Sequence, residues 1–218
     1  MLSVYQKMFL QTALQVNALS FGEFTLKSGR RSPYFFNAGA FHNGGALNTL
    51  AESYAHVIWQ MRQAGCAIDM LFGPAYKGIP LVAAVAIVLV NKYDWSLPWA
   101  FNRKEKKGHG EGGFLVGAPI ADRHVLIIDD VLTAGTAIRQ SLALLRQEKA
   151  NPTALLVALD RMERIDDKGS ALDHLGEEEG IYTQSVANLD DLLSFMTEDK
   201  ELQAHLPEMQ AYRKKYGA

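Results

Sequence analysis

An alternation of helix-like and strand-like segments, interrupted by short polar loops, most constrains what this chain can fold into. Between Leu47 and Met61 apolar residues recur at three-to-four spacing, which is typical of an amphipathic helix, and the apolar run at 67–72 predicts a buried strand. The pattern continues with helix 79–93, strands 98–101 and 125–128, helix 136–150 and strand 154–159. Such alternation predicts an α/β protein with an open, mostly parallel twisted sheet flanked by helices. Segments 190–196 and 200–216 look like two further amphipathic helices of structural role.

Length and charge exclude several classes of protein. The 218 residues, 48% of them hydrophobic, suffice for one core, and without a repeat or linker we expect a single domain over 1–218. A net charge of -2 gives no field that favours nucleic acid or a membrane surface. The most apolar run, 79–90, is too short to cross a bilayer, for which about 20 residues are needed. Cys66 is the only cysteine and no secretory signal is seen, so we expect a cytoplasmic protein.

Three polar loops follow predicted strands, at 73–78, 103–113 and 129–135. The carboxyl ends of parallel strands lie at one edge of a sheet, and ligands of open α/β sheets bind outside that edge. The sequence therefore predicts one site built from the three loops.

The sharpest chemical pattern is VLIIDDVLTAGTA, residues 125–137. After four apolar strand residues, Asp129 and Asp130 are placed to accept hydrogen bonds from sugar hydroxyls. The small residues Thr133 to Ala137 then lead into a helix, where backbone N–H groups and the helix dipole favour a phosphate. The alternative is an acidic turn with an accidental small-residue loop. Together, the acids and the loop indicate a ribose 5-phosphate site.

This segment resembles the motif by which type I phosphoribosyltransferases bind phosphoribosyl pyrophosphate (PRPP). The resemblance implies that Asp129 and Asp130 hold the ribose hydroxyls and that the following residues complete the PRPP site. Those residues are Val131, Leu132, Thr133, Ala134, Gly135, Thr136 and Ala137.

Two further segments resemble orotate phosphoribosyltransferases. FTLKSGRRSPYFFNAG, residues 24–39, implies that Lys27 contacts PRPP and that Phe35 and Phe36 enclose the orotate ring, although paired Phe residues are as often simply core. GPAYKGIPL, residues 73–81, resembles the pyrophosphate loop, in which Tyr76 and Lys77 bind PRPP and the glycines let an anion approach. Without its neighbours, Lys77 would be interpreted as a solvated charge.

The segment FNRKEKKGHGEGG, residues 101–113, predicts a mobile cationic loop able to close over a diphosphate. It resembles the catalytic loop of the orotate enzymes, which reaches the PRPP of the neighbouring subunit. The resemblance assigns Arg103, Lys104, Lys107 and His109 to PRPP; for Lys106 a solvated charge is the better interpretation. Lys104, Lys107, His109, Asp129 and Asp130 form the expected catalytic set.

ALDRMER, residues 158–164, places Arg161 at the end of a strand, and the resemblance implies that it pairs with the orotate carboxylate. Thr133 is expected to touch the base as well. Met162 stands where many relatives have Gln. The family fold further implies a small base-binding hood from about residues 1–45 and 160–190.

The implied reaction is displacement of pyrophosphate from PRPP by N1 of orotate. Mg²⁺ is expected to bind mainly through PRPP or pyrophosphate, with no dedicated protein ligands. The resemblance implies a homodimer that shares loop 103–113, with orotate and PRPP as substrates and no nucleic-acid or membrane partner. The alternatives are a purine or uracil phosphoribosyltransferase, a PRPP-sensing regulator and a structural α/β domain.

Overall fold

The computed structural model describes residues 2–26, 28–107, 113–132, 135–166 and 169–218, with the backbone alone for residues 106, 107 and 166. Within those ranges the strands are β1 (Leu19–Thr25), β2 (Arg31–Phe36), β3 (Met70–Gly73), β4 (Trp99–Lys107), β5 (Gly113–Gly117), β6 (His124–Asp129), β7 (Asn151–Asp160), β8 (Arg164–Asp166), β9 (Gly169–Ser170) and β10 (Tyr182–Asn188). The α-helices are α1 (Val4–Gln15), α2 (Gly44–Gln63), α3 (Gly78–Tyr93), α4 (Thr136–Gln147), α5 (Ala171–Glu179), α6 (Leu189–Glu198) and α7 (Leu206–Tyr216), with 3-10 turns at Ala38–Ala40 and Leu202–His205.

Six strands form the central sheet in the order β10-β7-β6-β3-β4-β5. All neighbours are parallel except β4 and β5, which form an antiparallel hairpin at one edge. The predicted open, mostly parallel sheet is therefore confirmed. Because β3 and β6 are central neighbours, the loops that follow them emerge side by side.

Alternate residues of the central strands pack on opposite faces of the sheet. In β3, Leu71 joins the cluster that contains α1, α2 and α3, whereas Met70 and Phe72 join the cluster that contains α4 and α5. All three are fully buried. Burial on both faces explains why the central strands are continuous apolar runs rather than alternating ones.

A hood lies outside the central sheet. It contains the β1–β2 antiparallel hairpin, against which α7 packs: the rings of Tyr34 and Tyr212 meet edge to face at 6.0 Å. The hood thus combines N-terminal and C-terminal segments, and it includes α7, which lies outside the predicted 160–190; the boundaries at residues 45, 160 and 190 stay a prediction.

The segment predicted as a loop at 103–113 begins instead as a strand. Residues 103–107 belong to β4, and Asn102 and Lys107 pair with Leu115 and Gly113 of β5. In this part of β4 Arg103 is half-buried and Lys104 and Glu105 are exposed, so the segment has no apolar alternation and gives no strand pattern in the sequence. Residues 108–112 lie outside the described ranges.

Two other boundaries differ from the sequence prediction. Helix α4 ends at Gln147, and β7 begins at Asn151 rather than at residue 154. The expected helix at 200–216 divides into a 3-10 turn and α7, whose first turn contains Pro207. Proline is tolerated there because its missing N–H would have no helical partner. No helix of the described residues combines the length and apolarity required to cross a membrane.

Candidate active site

An acidic pair ends the central strand β6. Asp129 is the last strand residue and Asp130 follows it; the Asp130 backbone N–H donates to Asp129 Oδ1 at 2.9 Å. The buried Tyr54 hydroxyl donates to the Asp129 carbonyl at 2.7 Å, and the Ala158 N–H of β7 donates to the Asp130 carbonyl at 2.9 Å. The backbone that carries both carboxylates is therefore fixed from two sides.

The loop after β3 supplies a cation to this pair. Lys77 Nζ lies 2.6 Å from Asp130 Oδ2, and the Ala75 N–H donates to Asn102 Oδ1 of β4 at 3.0 Å. Lys104 of β4 places its ammonium 4.5 Å from the ring centroid of the exposed Tyr76. The structure thus brings Tyr76, Lys77, Lys104 and Asp130 together at the carboxyl edge of the sheet.

The two glycines of this loop have a packing role in addition to the predicted approach of an anion, which stays a prediction. A Cβ on Gly73 would lie 2.2 Å from the Gly78 carbonyl oxygen, and one on Gly78 would lie 2.7 Å from the Gly73 carbonyl carbon. They let the end of β3 and the start of α3 pack against each other. The loop, which has a cis peptide bond between Ala75 and Tyr76, is closed on itself by this contact.

The acidic pair is electrostatically unfavourable without a ligand. Burial and then the charge of Asp130 raise the pKa of Asp129 to about 7, and the Asp130 N–H and the Lys77 charge oppose that rise. Two carboxylates share one neighbouring ammonium, so the site favours a ligand that brings hydroxyl donors or a cation.

The start of α4 lies one short loop beyond the acids. Val131 and Leu132 are half-buried and pack on the two faces of the core, and Gly135 adopts a left-handed φ of 73° before Thr136 and Ala137 begin the helix. No described side chain caps this end of α4. Uncapped backbone N–H groups at a helix start suit an anion. Thr133 and Ala134 lie outside the described residues.

The paired aromatics of β2 point in opposite directions. Phe35 is 43% exposed and stacks on Phe24 at 5.5 Å, whereas Phe36 is buried against Phe9 and Phe41. Successive side chains of a strand face opposite sides. The Phe36 ring is therefore part of the core, and only its backbone can meet a ligand on the Phe35 side.

Arg161 follows β7 and contacts both β2 and α7 of the hood. Its guanidinium lies 4.2 Å from the ring centroid of Tyr34, its Nε donates to Glu163 at 2.6 Å, and its Nη2 donates to Ser32 at 2.8 Å and Tyr212 at 3.2 Å. Burial opposes the charge, but Tyr34, Glu163 and Tyr212 outweigh it and raise the pKa of Arg161. The cation is held in place without any ligand.

Sequence reasoning missed the partners of Arg161. Ser32 and Glu163 lie inside segments that the family pattern singled out, so their polar side chains were visible signals. Tyr212 belongs to a helix whose sequence gives no sign of a functional contact. Of the other predicted residues, Arg103 lies half-buried on β4, and Lys27, His109 and the Lys107 side chain lie outside what the structure describes.

Comparison with known proteins agrees with this geometry. Residues 45–177 match the family model of the phosphoribosyl transferase domain. The orotate phosphoribosyltransferase of Dichelobacter nodosus is 58% identical over 100% of this chain and 98% of its own length. The chain belongs to the orotate phosphoribosyltransferase family. A second family member, from Thioalkalivibrio sulfidiphilus, is 52% identical over 99% of this chain and 100% of its own. The orotate phosphoribosyltransferase crystal structure from Francisella tularensis has a TM-score of 0.83 at 42% identity, covering 97% of this chain and all of that one.

Proposed function

We propose that this chain transfers the ribose 5-phosphate group of PRPP to N1 of orotate, giving orotidine 5'-monophosphate and pyrophosphate in the de novo synthesis of UMP. One observation carries the residue assignment: the Asp130 carbonyl is bonded to Ala158 of β7, and Arg161 follows three residues later. At about 3.3 Å per extended residue, the backbone position of Arg161 lies at most roughly 10 Å from Ala158, which is bonded to the sugar-binding acids. That spacing accommodates a ribose and a pyrimidine between them.

The acids and the cations stabilise opposite charges that develop during the reaction. As the bond from the anomeric carbon to pyrophosphate breaks, positive charge develops on the ribose and negative charge on the leaving group. Asp129 and Asp130 bind the ribose hydroxyls and stabilise the first charge. Lys77 and Lys104, with Arg103, Tyr76 and the assigned residues Lys27, Lys107 and His109, bind PRPP and stabilise the second.

The remaining assignments concern the 5-phosphate of PRPP and the orotate base. Residues 131–137 bind the 5-phosphate at the uncapped start of α4. Arg161 pairs with the orotate carboxylate, Thr133 touches the base, and the Phe35 ring with the Phe36 backbone borders the heterocycle.

Mg²⁺ fits this site as a companion of PRPP. The described residues contain no cluster of three or more metal-ligating side chains. Oxygens of the diphosphate, ribose hydroxyls and water are ligands that Mg²⁺ prefers, and they would supply most of its coordination here. The excess negative charge at Asp129 and Asp130 suits metal-bound water. When bound, the ion neutralises charge on the leaving diphosphate.

The assay that tests the proposal follows the PRPP-dependent and Mg²⁺-dependent loss of orotate absorbance, with uracil and hypoxanthine in matched reactions. We expect rapid loss with orotate alone. Comparable use of uracil or hypoxanthine would reassign the base, and a protein that does not bind PRPP with Mg²⁺ would refute the whole proposal.

A homodimer that shares segment 103–113 is supported by exposed apolar side chains. Ile87 and Val90 on α3 are 62% and 43% exposed, and Phe114 on the hairpin is 41% exposed. Ile87 and Val90 are three residues apart on α3 and so lie on one face of the helix, and exposed apolar residues that lie together favour a protein interface. We place the enzyme in the cytoplasm, a compartment that suits the free thiol of Cys66.

Mixing two inactive proteins tests the shared segment. If Lys107 and His109 act on the PRPP of the neighbouring subunit, Lys107→Ala and Asp130→Asn proteins should regain activity when mixed, because a hybrid dimer contains one intact site. Subunit exchange is verified separately with differently tagged chains. Exchange without recovered activity would mean that each site is built from one chain.

A further inference from the structure

Arg161 is bonded to three side chains that come from separate parts of the chain. Ser32 lies on β2, Glu163 lies two residues after Arg161, and Tyr212 lies on α7. The Tyr212 hydroxyl also donates to Glu163 Oε1, the atom that accepts from Arg161 Nε. Tyr212, Glu163 and Arg161 therefore form a closed triangle of hydrogen bonds.

The directions of these bonds determine which part of the guanidinium can meet a ligand. Ser32 Oγ donates to the Tyr34 carbonyl at 2.7 Å, and Tyr212 donates to Glu163, so both hydroxyl oxygens accept from Arg161 Nη2. Both Nη2 hydrogens and the Nε hydrogen are thus used. Among the described residues no side chain or carbonyl accepts from Nη1, which leaves that nitrogen to donate to a substrate.

Helix α7 is attached to the segment after Arg161 by its backbone as well. The Ala218 N–H donates to the Met162 carbonyl at 2.8 Å, Arg164 Nη2 donates to the Lys215 carbonyl at 3.2 Å, and Glu163 forms a β-bridge with Gly217. These bonds fix Tyr212 relative to Glu163. The packing of α7 therefore places the Tyr212 hydroxyl next to Glu163 and holds the triangle together.

We propose that Tyr212 is a positioning residue for substrate selection: with Glu163 it turns Arg161 so that Nη1 faces the carboxylate of the base. The proposal rests on the proposed function, in which Arg161 pairs with that carboxylate. The Tyr34 ring 4.2 Å below the guanidinium limits its tilt, and the Tyr212–Glu163 pair limits its rotation within its own plane. An orotate carboxylate then meets a donor that is already oriented.

Tyr212→Phe tests this role with little change in packing, because only the hydroxyl is lost. We expect the KM for orotate to rise about tenfold, the loss typical of one hydrogen bond to a charged group, and the KM for PRPP to stay within twofold. The matched control is Tyr216→Phe on the same helix, whose ring lies 5.1 Å from that of Tyr212. The control should leave both KM values unchanged.

A binding measurement separates positioning from a general structural effect. Orotidine 5'-monophosphate and uridine 5'-monophosphate differ by the carboxylate alone, so the ratio of their dissociation constants, measured by calorimetry, reports the Arg161 contact. Tyr212→Phe should reduce the wild-type preference for the carboxylated nucleotide about tenfold. In an Arg161→Ala background, Tyr212→Phe should leave the ratio unchanged, because it acts through Arg161.

The outcomes distinguish this proposal from the one on which it rests. If wild type binds both nucleotides equally, Arg161 does not recognise a carboxylate and the proposed function is at fault. If wild type prefers the carboxylated nucleotide but Tyr212→Phe weakens both nucleotides alike, or still lowers the ratio without Arg161, Tyr212 is not a positioning residue.

Discussion

The proposed sugar side of the site, at Asp129 and Asp130, and the proposed base side, at Arg161, differ in how their charges are compensated. At the carboxyl end of β6, Asp129 and Asp130 share Lys77, and burial together with Asp130 raises the pKa of Asp129. At the end of β7, Arg161 has a carboxylate, two hydroxyls and an aromatic face around it, and its pKa is raised as well.

The two raised pKa values have opposite effects on the charged forms of the two groups. A raised pKa disfavours the charged form of an acid and favours the charged form of a base. On the proposed function, the acidic pair stays unfavourable until PRPP brings hydroxyl donors and Mg²⁺, whereas Arg161 is already oriented by its partners. We infer that PRPP binding releases unfavourable electrostatics, while orotate binding exploits a preorganised donor.

Asp130→Asn should give the largest effect, on the sugar side. The change keeps the shape but removes the charge that pairs with Lys77 and that we propose accepts hydrogen bonds from the ribose. We expect kcat to fall about 100- to 1000-fold, the scale for one group that stabilises transition-state charge, with an unchanged circular dichroism spectrum. Steady-state kinetics would measure this, and near-normal turnover would remove Asp130 from the catalytic set.

The same contrast explains what the sequence could predict. The residues of the sugar side come from one stretch, 125–137, in which the strand, the two acids and the helix start follow one another directly. The chemistry of this side could therefore be predicted from the local sequence. The parallel sheet followed from helix and strand alternation for the same reason. The base side joins Ser32, Glu163 and Tyr212 across almost the whole chain. Ser32, Arg161 and Glu163 lie in segments that resemble the family, but Tyr212 carried no local signal, and nothing in the sequence showed that the four side chains meet.

Other details depended on packing that no local pattern encodes. Phe35 and Phe36 point in opposite directions because side chains alternate along a strand, but Phe36 is the one in the core because Phe9 and Phe41 cover its side of the hairpin. The extension of β4 through Lys107 depends on its partner β5. Tertiary partners of this kind decide the structure where the sequence pattern is equivocal.

Arg161→Lys should give the next largest effect, confined to the base side. Lysine keeps the charge but lacks the planar fork, so it cannot bind Glu163, Ser32 and a ligand at once. We expect the KM for orotate to rise about 10- to 100-fold, equivalent to one or two charge-assisted hydrogen bonds, with a much smaller change for PRPP. Initial rates with each substrate varied in turn would test this. Equal changes in both KM values would mean that Arg161 supports the fold and does not recognise orotate.

Asp129→Asn should give the smallest effect, seen in the stability of the ligand-free protein. The folded pKa of Asp129, about 7, lies above the ordinary carboxyl value, so the folded state binds a proton more tightly than the unfolded state. Between these two pKa values the free energy of unfolding therefore falls as pH rises, and below the ordinary value the penalty is absent. Asparagine cannot ionise, so the variant should gain about 1 to 2 kcal/mol relative to wild type between pH 5 and pH 8, as measured by urea unfolding in EDTA.

Asp69→Asn is the matched control, because its pKa is shifted the other way. Hydrogen bonds from the His124 backbone and side chain lower the pKa of the exposed Asp69. Its stabilising effect is therefore present at neutral pH and is lost as pH falls through its folded pKa, so the control variant should lose stability at pH 8 rather than gain it. If Asp129→Asn lost stability at pH 8 as Asp69→Asn does, the acidic pair would carry no electrostatic penalty in the ligand-free protein, and the contrast between the two sides of the site would fail.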